Sequence, residues 1–96
     1  MPHRLIDRIR EKIRLHEYDM TVHANEEMAE DDLDILDIEE VVLNGRVVRT
    51  NRREPLGPKY TIEGFALDGE KLIGIVGRFH SNLFLIITVY EIHEAH

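Results

Sequence analysis

The sequence predicts an α+β fold in which two to three N-terminal helices pack on a four-stranded antiparallel sheet. Apolar residues recur at helical spacing before Gly45 and alternate at strand spacing after it. A run of helices followed by a run of strands is typical of the α+β class. The chain has 96 residues, enough for one hydrophobic core and too few for a second folded unit. We therefore expect a single domain over residues 1–96.

Two helices are predicted in the first third of the chain. Apolar residues at positions 5, 6, 9 and 13 stand between basic ones, which predicts an amphipathic helix over residues 1–16 with a basic outer surface. Ala24 and Met28 form a narrow apolar stripe at helical spacing. This stripe predicts a second, largely exposed helix over residues 23–30.

A third helix is predicted from its two end signals. Asp34 stands three residues before Asp37, a spacing that resembles a capping box with Asp in place of the usual Glu. The helix should therefore begin near Ile35. Asn44-Gly45 predicts that it ends at a left-handed residue.

Four strands are predicted after this helix, and they are residues 46–50, 59–67, 71–79 and 83–91. The segment 51–58 contains two prolines and a glycine, which predicts a loop. Asp68-Gly69 is a strong turn signal that predicts a hairpin between the second and third strands. The last strand is apolar on both faces, as expected in the middle of a sheet.

The composition excludes several kinds of site. The chain has no cysteine, which excludes disulfides, thiolate metal ligands and cysteine nucleophiles. Its longest apolar run, residues 83–87, is far shorter than a membrane span, and no apolar leader opens the sequence. No glycine-rich phosphate loop or convergent set of metal ligands is evident. We therefore expect a cytoplasmic protein with no cofactor, no metal and no membrane contact.

The acidic residues are concentrated in one block. Residues 17–40 carry eleven acids and no Lys or Arg, in a chain of net charge -7. A solvated helical surface is the simpler interpretation. The alternatives are a surface that mimics nucleic acid and a surface that binds a basic protein partner.

The basic residues form a second block around the first predicted strand. They are Arg46, Arg49, Arg52, Arg53 and Lys59. One interpretation is that the four arginines bind RNA, and the other is that they protect an edge strand from unwanted pairing. Regular alternation along a strand places Arg46 and Arg49 on opposite faces. We therefore do not expect all these charges to share one face.

Short motifs follow one another in a recognisable order over residues 21–90. They are His23-Ala24, Met28, Asp37-Ile38-Glu39-Glu40-Val41, Asn44-Gly45, Gly57-Pro58-Lys59-Tyr60 and Thr88-Val89-Tyr90. This order resembles the family catalogued as domain of unknown function 4258. That family is similar to the RelE/ParE and BrnT toxins, small α+β proteins that pair with an antitoxin and whose ribonuclease members bind RNA on their sheet. Glu27 departs from the family pattern, which usually has arginine at this position.

The resemblance implies a toxin-like protein, with RNA and an antitoxin or other protein as partners. A metal-independent endoribonuclease would position a phosphate with Arg and Lys and move protons with Tyr, His or Lys. The catalytic candidates are therefore His23, Lys59, Tyr60 and Arg78. Three alternatives stay open: His23 as a structural helix cap, a non-enzymatic interaction module using the acidic helices, and a homodimer formed at a sheet edge.

Overall fold

The structure, a computed structural model, describes residues 4–93 and contains three helices and five strands in that range. The helices are α1 (Leu5–Arg14), α2 (Val22–Glu30) and α3 (Ile35–Asn44). The strands are β1 (Tyr18–Met20), β2 (Arg46–Asn51), β3 (Lys59–Phe65), β4 (Leu72–His80) and β5 (Leu83–Ile92). The α+β class is confirmed. Residues 1–3 of the predicted first helix lie outside the described residues.

The sheet is mixed and has five strands, so the prediction of four antiparallel strands is wrong. Its strand order is β1-β5-β4-β3-β2, with β1 parallel to β5 and the other pairs antiparallel. The missed strand, β1, is three residues long, too short for alternation to show in the sequence. β1 is recognisable only from its pairing with β5, in which Tyr18 and Met20 lie beside Phe84 and Ile86.

Side-chain caps start two of the helices. The Asp34 side chain accepts the backbone N–H groups of Leu36 and Asp37, and the Asp37 side chain accepts that of Asp34. The predicted capping box and the start of α3 at Ile35 are therefore confirmed. The hydroxyl of Thr21 caps α2 by accepting the N–H of Ala24.

The hydrophobic core lies between the helices and one face of the sheet. The helices contribute Ile9, Ile13, Ala24, Ile38, Val41 and Val42, and the strands contribute Tyr60, Ile62, Ile73, Ile75, Phe84, Ile86 and Val89. These strand residues share one face by their pairing register. We call the other face, over which no helix packs within residues 4–93, the open face. None of the described helices is long and apolar enough to cross a membrane.

Gly45 ends α3 in a way that differs from the prediction. Its φ is -86°, in the extended region, so the predicted left-handed helix end is wrong. A Cβ at this position would overlap the carbonyl oxygens of Glu63 and Val41. Glycine is therefore required here because α3 and β3 approach closely. Arg10 adds to the junction by donating to the carbonyl oxygens of Val42 and Gly45, at 3.2 and 2.7 Å.

We expect Gly45→Ala to lower the free energy of unfolding by about 3 kcal/mol, because backbone must shift to admit the methyl group. Chemical denaturation followed by circular dichroism measures the change. Asn44→Ala, at the exposed neighbouring position, is the control and should change stability by less than about 0.5 kcal/mol. Equal stabilities of the two variants would show that the close approach of α3 and β3 is absent.

Candidate functional site

A bulge in β2 brings two arginines to the open face. Arg46 pairs with Glu63 and Val47 with Ile62, but the next pair is Arg49 with Thr61, so Val48 is an extra residue. Ile62 faces the core, so Thr61 and Glu63 on either side of it face the other way. Arg46 and Arg49 pair with these two residues and therefore share their face. The expectation that these arginines lie on opposite faces is therefore wrong. The bulge depends on pairing with β3, which a strand's own sequence does not specify.

Lys59 and Arg78 also lie on the open face. Tyr60 of β3 pairs with Gly77 of β4 on the core face. The next position along this antiparallel pair brings Lys59 beside Arg78, and both face the opposite way. Lys59 Nζ is 3.6 Å from Glu54 Oε2. Asn51 of β2 pairs with Lys59 and extends this polar row across the sheet.

The arginines of this region have no ionic partner in the described part of the chain. Arg46, Arg49, Arg52, Arg53 and Arg78 have no carboxylate within 4.0 Å among residues 4–93. Arg52 and Arg53 are exposed in the loop after β2. Arg78 Nε is buried and has no hydrogen-bond partner among residues 4–93. The acids of the chain outnumber its basic residues 19 to 12, which makes this set of free guanidinium groups informative.

The cations of α1 are used differently. Arg4 Nε lies 3.2 Å from Asp7 Oδ2, and Lys12 Nζ lies 3.3 Å from Glu17 Oε1. The Arg8 guanidinium lies 4.7 Å from the ring centroid of Phe79. Most of the positive charge of this helix is therefore engaged within the protein, whereas the arginines of the open face have no ion pair among residues 4–93.

Tyr90 places an aromatic ring among these charges. It pairs with Gly74 across β4 and β5, and a Cβ on Gly74 would overlap the Tyr90 ring. The ring therefore lies against the backbone of β4. Burial raises the pKa of Tyr90, the nearby Glu63 carboxylate raises it further, and Arg49 lowers it. The sequence alone does not predict Tyr90 as a site residue, because its position opposite a glycine appears only in the strand register.

Tyr60 is separated from the other catalytic candidates. Its side chain lies on the core face of the sheet, with 8% of its surface exposed. The ring packs edge to face against Phe79, with 6.1 Å between centroids. Lys59 and Arg78 lie on the opposite face. Tyr60 is therefore a core residue in this structure.

His23 is separated from them as well. It lies on α2, which packs along the outer edge of β5 through the bond from the Thr21 hydroxyl to the Ile87 carbonyl oxygen. Because β4 and β5 stand between that edge and Lys59, the separation is at least about 10 Å, two strand spacings. The His23 side chain is 66% exposed, and its Nε2 lies 3.2 Å from Glu27 Oε1. The four predicted catalytic residues do not converge.

No group of three or more potential metal ligands is present among residues 4–93. The polar groups of this surface are the guanidinium groups of the arginines, the Lys59 ammonium and the Tyr90 phenol, beside the Glu63 carboxylate. Such a surface binds phosphate oxygens and aromatic bases.

Comparison with known proteins identifies the family. A family model described as "Domain of unknown function (DUF4258)" matches residues 20–91. The chain belongs to this family. No curated protein and no solved structure matches the chain. The DUF4258 match includes every residue of the open face named above and excludes α1.

Glu27 has a structural role in the described part of the chain. Its Oε1 accepts the backbone N–H of Val89 at 3.1 Å. This N–H lies on the outer edge of β5 beyond the short strand β1, where no further strand pairs with it among residues 4–93. Glu27 therefore completes the hydrogen bonding of the β5 edge.

We expect Glu27→Ala to lower the free energy of unfolding by about 1 to 3 kcal/mol, because the Val89 N–H loses a charged acceptor. Glu26→Ala removes the same charge from the neighbouring exposed position and should change stability by less than about 0.5 kcal/mol. Thermal or chemical denaturation measures both. If the two variants are equally stable, the Glu27 carboxylate does not support the β5 edge.

Proposed function

We propose that this protein binds RNA through the open face of its sheet and the adjoining loop, with Arg46, Arg49 and Arg78 contacting phosphates. The observation that carries the proposal is the set of guanidinium groups on this surface with no carboxylate partner among residues 4–93. Guanidinium groups bind phosphate oxygens through paired, charge-assisted hydrogen bonds.

The distribution of charge supports this choice of ligand. The chain carries a net charge of -7, which opposes approach of a polyanion unless the positive groups are gathered on one surface. The bulge in β2 gathers them on the open face, while the acidic residues of α2 and α3 belong to the helices on the other side of the sheet. A polyanion can therefore meet the basic surface first.

The neighbours of the arginines favour RNA over a simple polyanion. Tyr90 presents a ring that lies against the backbone of β4, where an unpaired base can stack. Thr61 and Thr88 lie on the same face and offer hydroxyl groups to the sugar or base. The resemblance to toxins that handle RNA on their sheet adds support from a separate source.

The proposal concerns binding and not cleavage. A metal-independent ribonuclease needs a proton donor and a proton acceptor at one phosphate. Lys59 and Arg78 share the open face, but Tyr60 lies in the core and His23 lies beyond β5. Because Tyr60 and His23 lie apart from Lys59 and Arg78, the arrangement favours RNA binding over cleavage.

A second candidate function is binding of a basic protein, such as an antitoxin, by the acidic block. Asp19, Glu26, Glu30 and Asp32 are exposed and have no ion pair among residues 4–93. Their surface is available to a cationic partner, and such binding should weaken with added salt. A homodimer through the β2 edge is less favoured, because pairing two copies of this strand brings their arginines together.

The RNA proposal predicts that Arg46→Ala/Arg49→Ala weakens RNA binding by roughly tenfold and reduces the slope of log affinity against log salt by about 1 to 1.5, as expected for two lost phosphate contacts. The probe is a fluorescein-labelled single-stranded RNA of about 12 nucleotides, long enough to cross the sheet. Fluorescence anisotropy between roughly 50 and 200 mM salt measures both quantities.

The control is Arg8→Ala/Arg14→Ala on α1, which removes the same charge from two exposed positions of a helix outside the open face. It should retain the wild-type slope and most of the affinity. If wild type fails to bind the RNA at low salt, or if both double variants lose affinity equally, the open face is not an RNA site.

A further inference from the structure

A row of apolar side chains crosses the open face at the end opposite Lys59 and Arg78. Phe65 pairs with Leu72, and Leu72 pairs with Ile92, so these three side chains are neighbours on that face. We call them the Phe65 row. The Phe65 ring is 54% exposed. Contiguous apolar groups on a soluble protein are characteristic of a surface that another molecule covers.

Two depressions flank the Phe65 row, and both are lined by Phe65 and Leu72. The first, of about 380 Å³, is also lined by Gly45, Arg46 and Glu63. The second, of about 410 Å³, is also lined by Glu70, Glu91 and Ile92. A ligand that lies across the Phe65 row therefore has a recess for a side chain on either side of the phenyl ring.

The surroundings of the Phe65 row are acidic. Glu63, Glu70 and Glu91 line the two depressions, against Arg46 and His93. Lys71, which stands between Glu70 and Leu72 in the sequence, directs its Nζ to the carbonyl oxygen of Asp31 at 3.3 Å. The ligand that complements this end of the sheet is apolar at its centre and positively charged around it.

We propose that a segment of a partner polypeptide, with apolar side chains flanked by Lys or Arg, docks on the Phe65 row. RNA does not fit this end, because its phosphates would meet the three glutamates. A symmetric dimer does not fit either, because an isologous contact brings the same acidic rim together from both copies. Arg46 lines the first depression and also belongs to the arginine surface, so the two sites adjoin at Arg46. The peptide proposal does not rest on the RNA proposal.

Selection of random peptides displayed on phage, with wild-type protein as target, tests this proposal directly. The enriched peptides should carry apolar residues flanked by Lys or Arg. Synthetic copies should bind Phe65→Ala at least roughly tenfold more weakly than wild type, as expected for a central anchor residue. Leu56→Ala is the matched control, because Leu56 is an exposed apolar side chain in the loop between β2 and β3 and its loss should leave affinity unchanged.

A second set of variants distinguishes the contribution of charge to peptide binding from that of apolar contact. Glu63→Gln/Glu70→Gln/Glu91→Gln should weaken the same peptides and reduce the salt dependence of their binding. Circular dichroism checks that each variant is folded. Because Phe65 is exposed, we expect Phe65→Ala to keep the fold and to weaken binding only by removing the ring.

Three results would overturn the proposal. One is a selection that enriches no peptides, or acidic ones. Another is enriched peptides that bind Phe65→Ala as tightly as wild type. The last is a wild-type dimer in solution that Phe65→Ala makes monomeric, because the occupant would then be a second copy of the chain.

Discussion

The position of the basic surface depends on one extra residue in β2. Val47 faces the core against Ile62, and in a regular strand Arg49 would face the core as well. Burying an unpaired guanidinium costs several kcal/mol, so the regular register is strongly disfavoured. The bulge at Val48 keeps Val47 inside and turns Arg49 outward beside Arg46. The requirement to bury Val47 and to solvate Arg49 therefore places both arginines on the open face.

The two groups of cations in this chain have different uses. Those of α1 stabilise the fold through carboxylates, carbonyl oxygens and the ring of Phe79. Those of the open face have few internal contacts among residues 4–93, and the buried Nε of Arg78 has none. Keeping such a group dry and unpaired is unfavourable unless a ligand supplies the acceptor. This asymmetry, and not the net charge, is the physical basis of the proposed function.

The sequence was sufficient for features that are encoded locally. The capping box at Asp34 and the hairpin at Gly69 each depend on residues within a few positions, and both are present. Features that depend on pairing were missed: the parallel strand β1, the bulge at Val48, and the glycine under the Tyr90 ring. The separation of Tyr60 and His23 from Lys59 follows from the same cause, because face and strand order are properties of the assembled sheet.

NMR maps the RNA contacts residue by residue, by titrating the RNA into ¹⁵N-labelled protein and following each backbone amide. We expect the largest shifts at open-face positions, among them Arg49, Thr61, Arg78 and Tyr90, with little change along α1. That result would place the ligand on the surface that the bulge creates. Shifts concentrated on α1 and α3, or no shifts at low salt, would contradict the claim that the open face binds RNA.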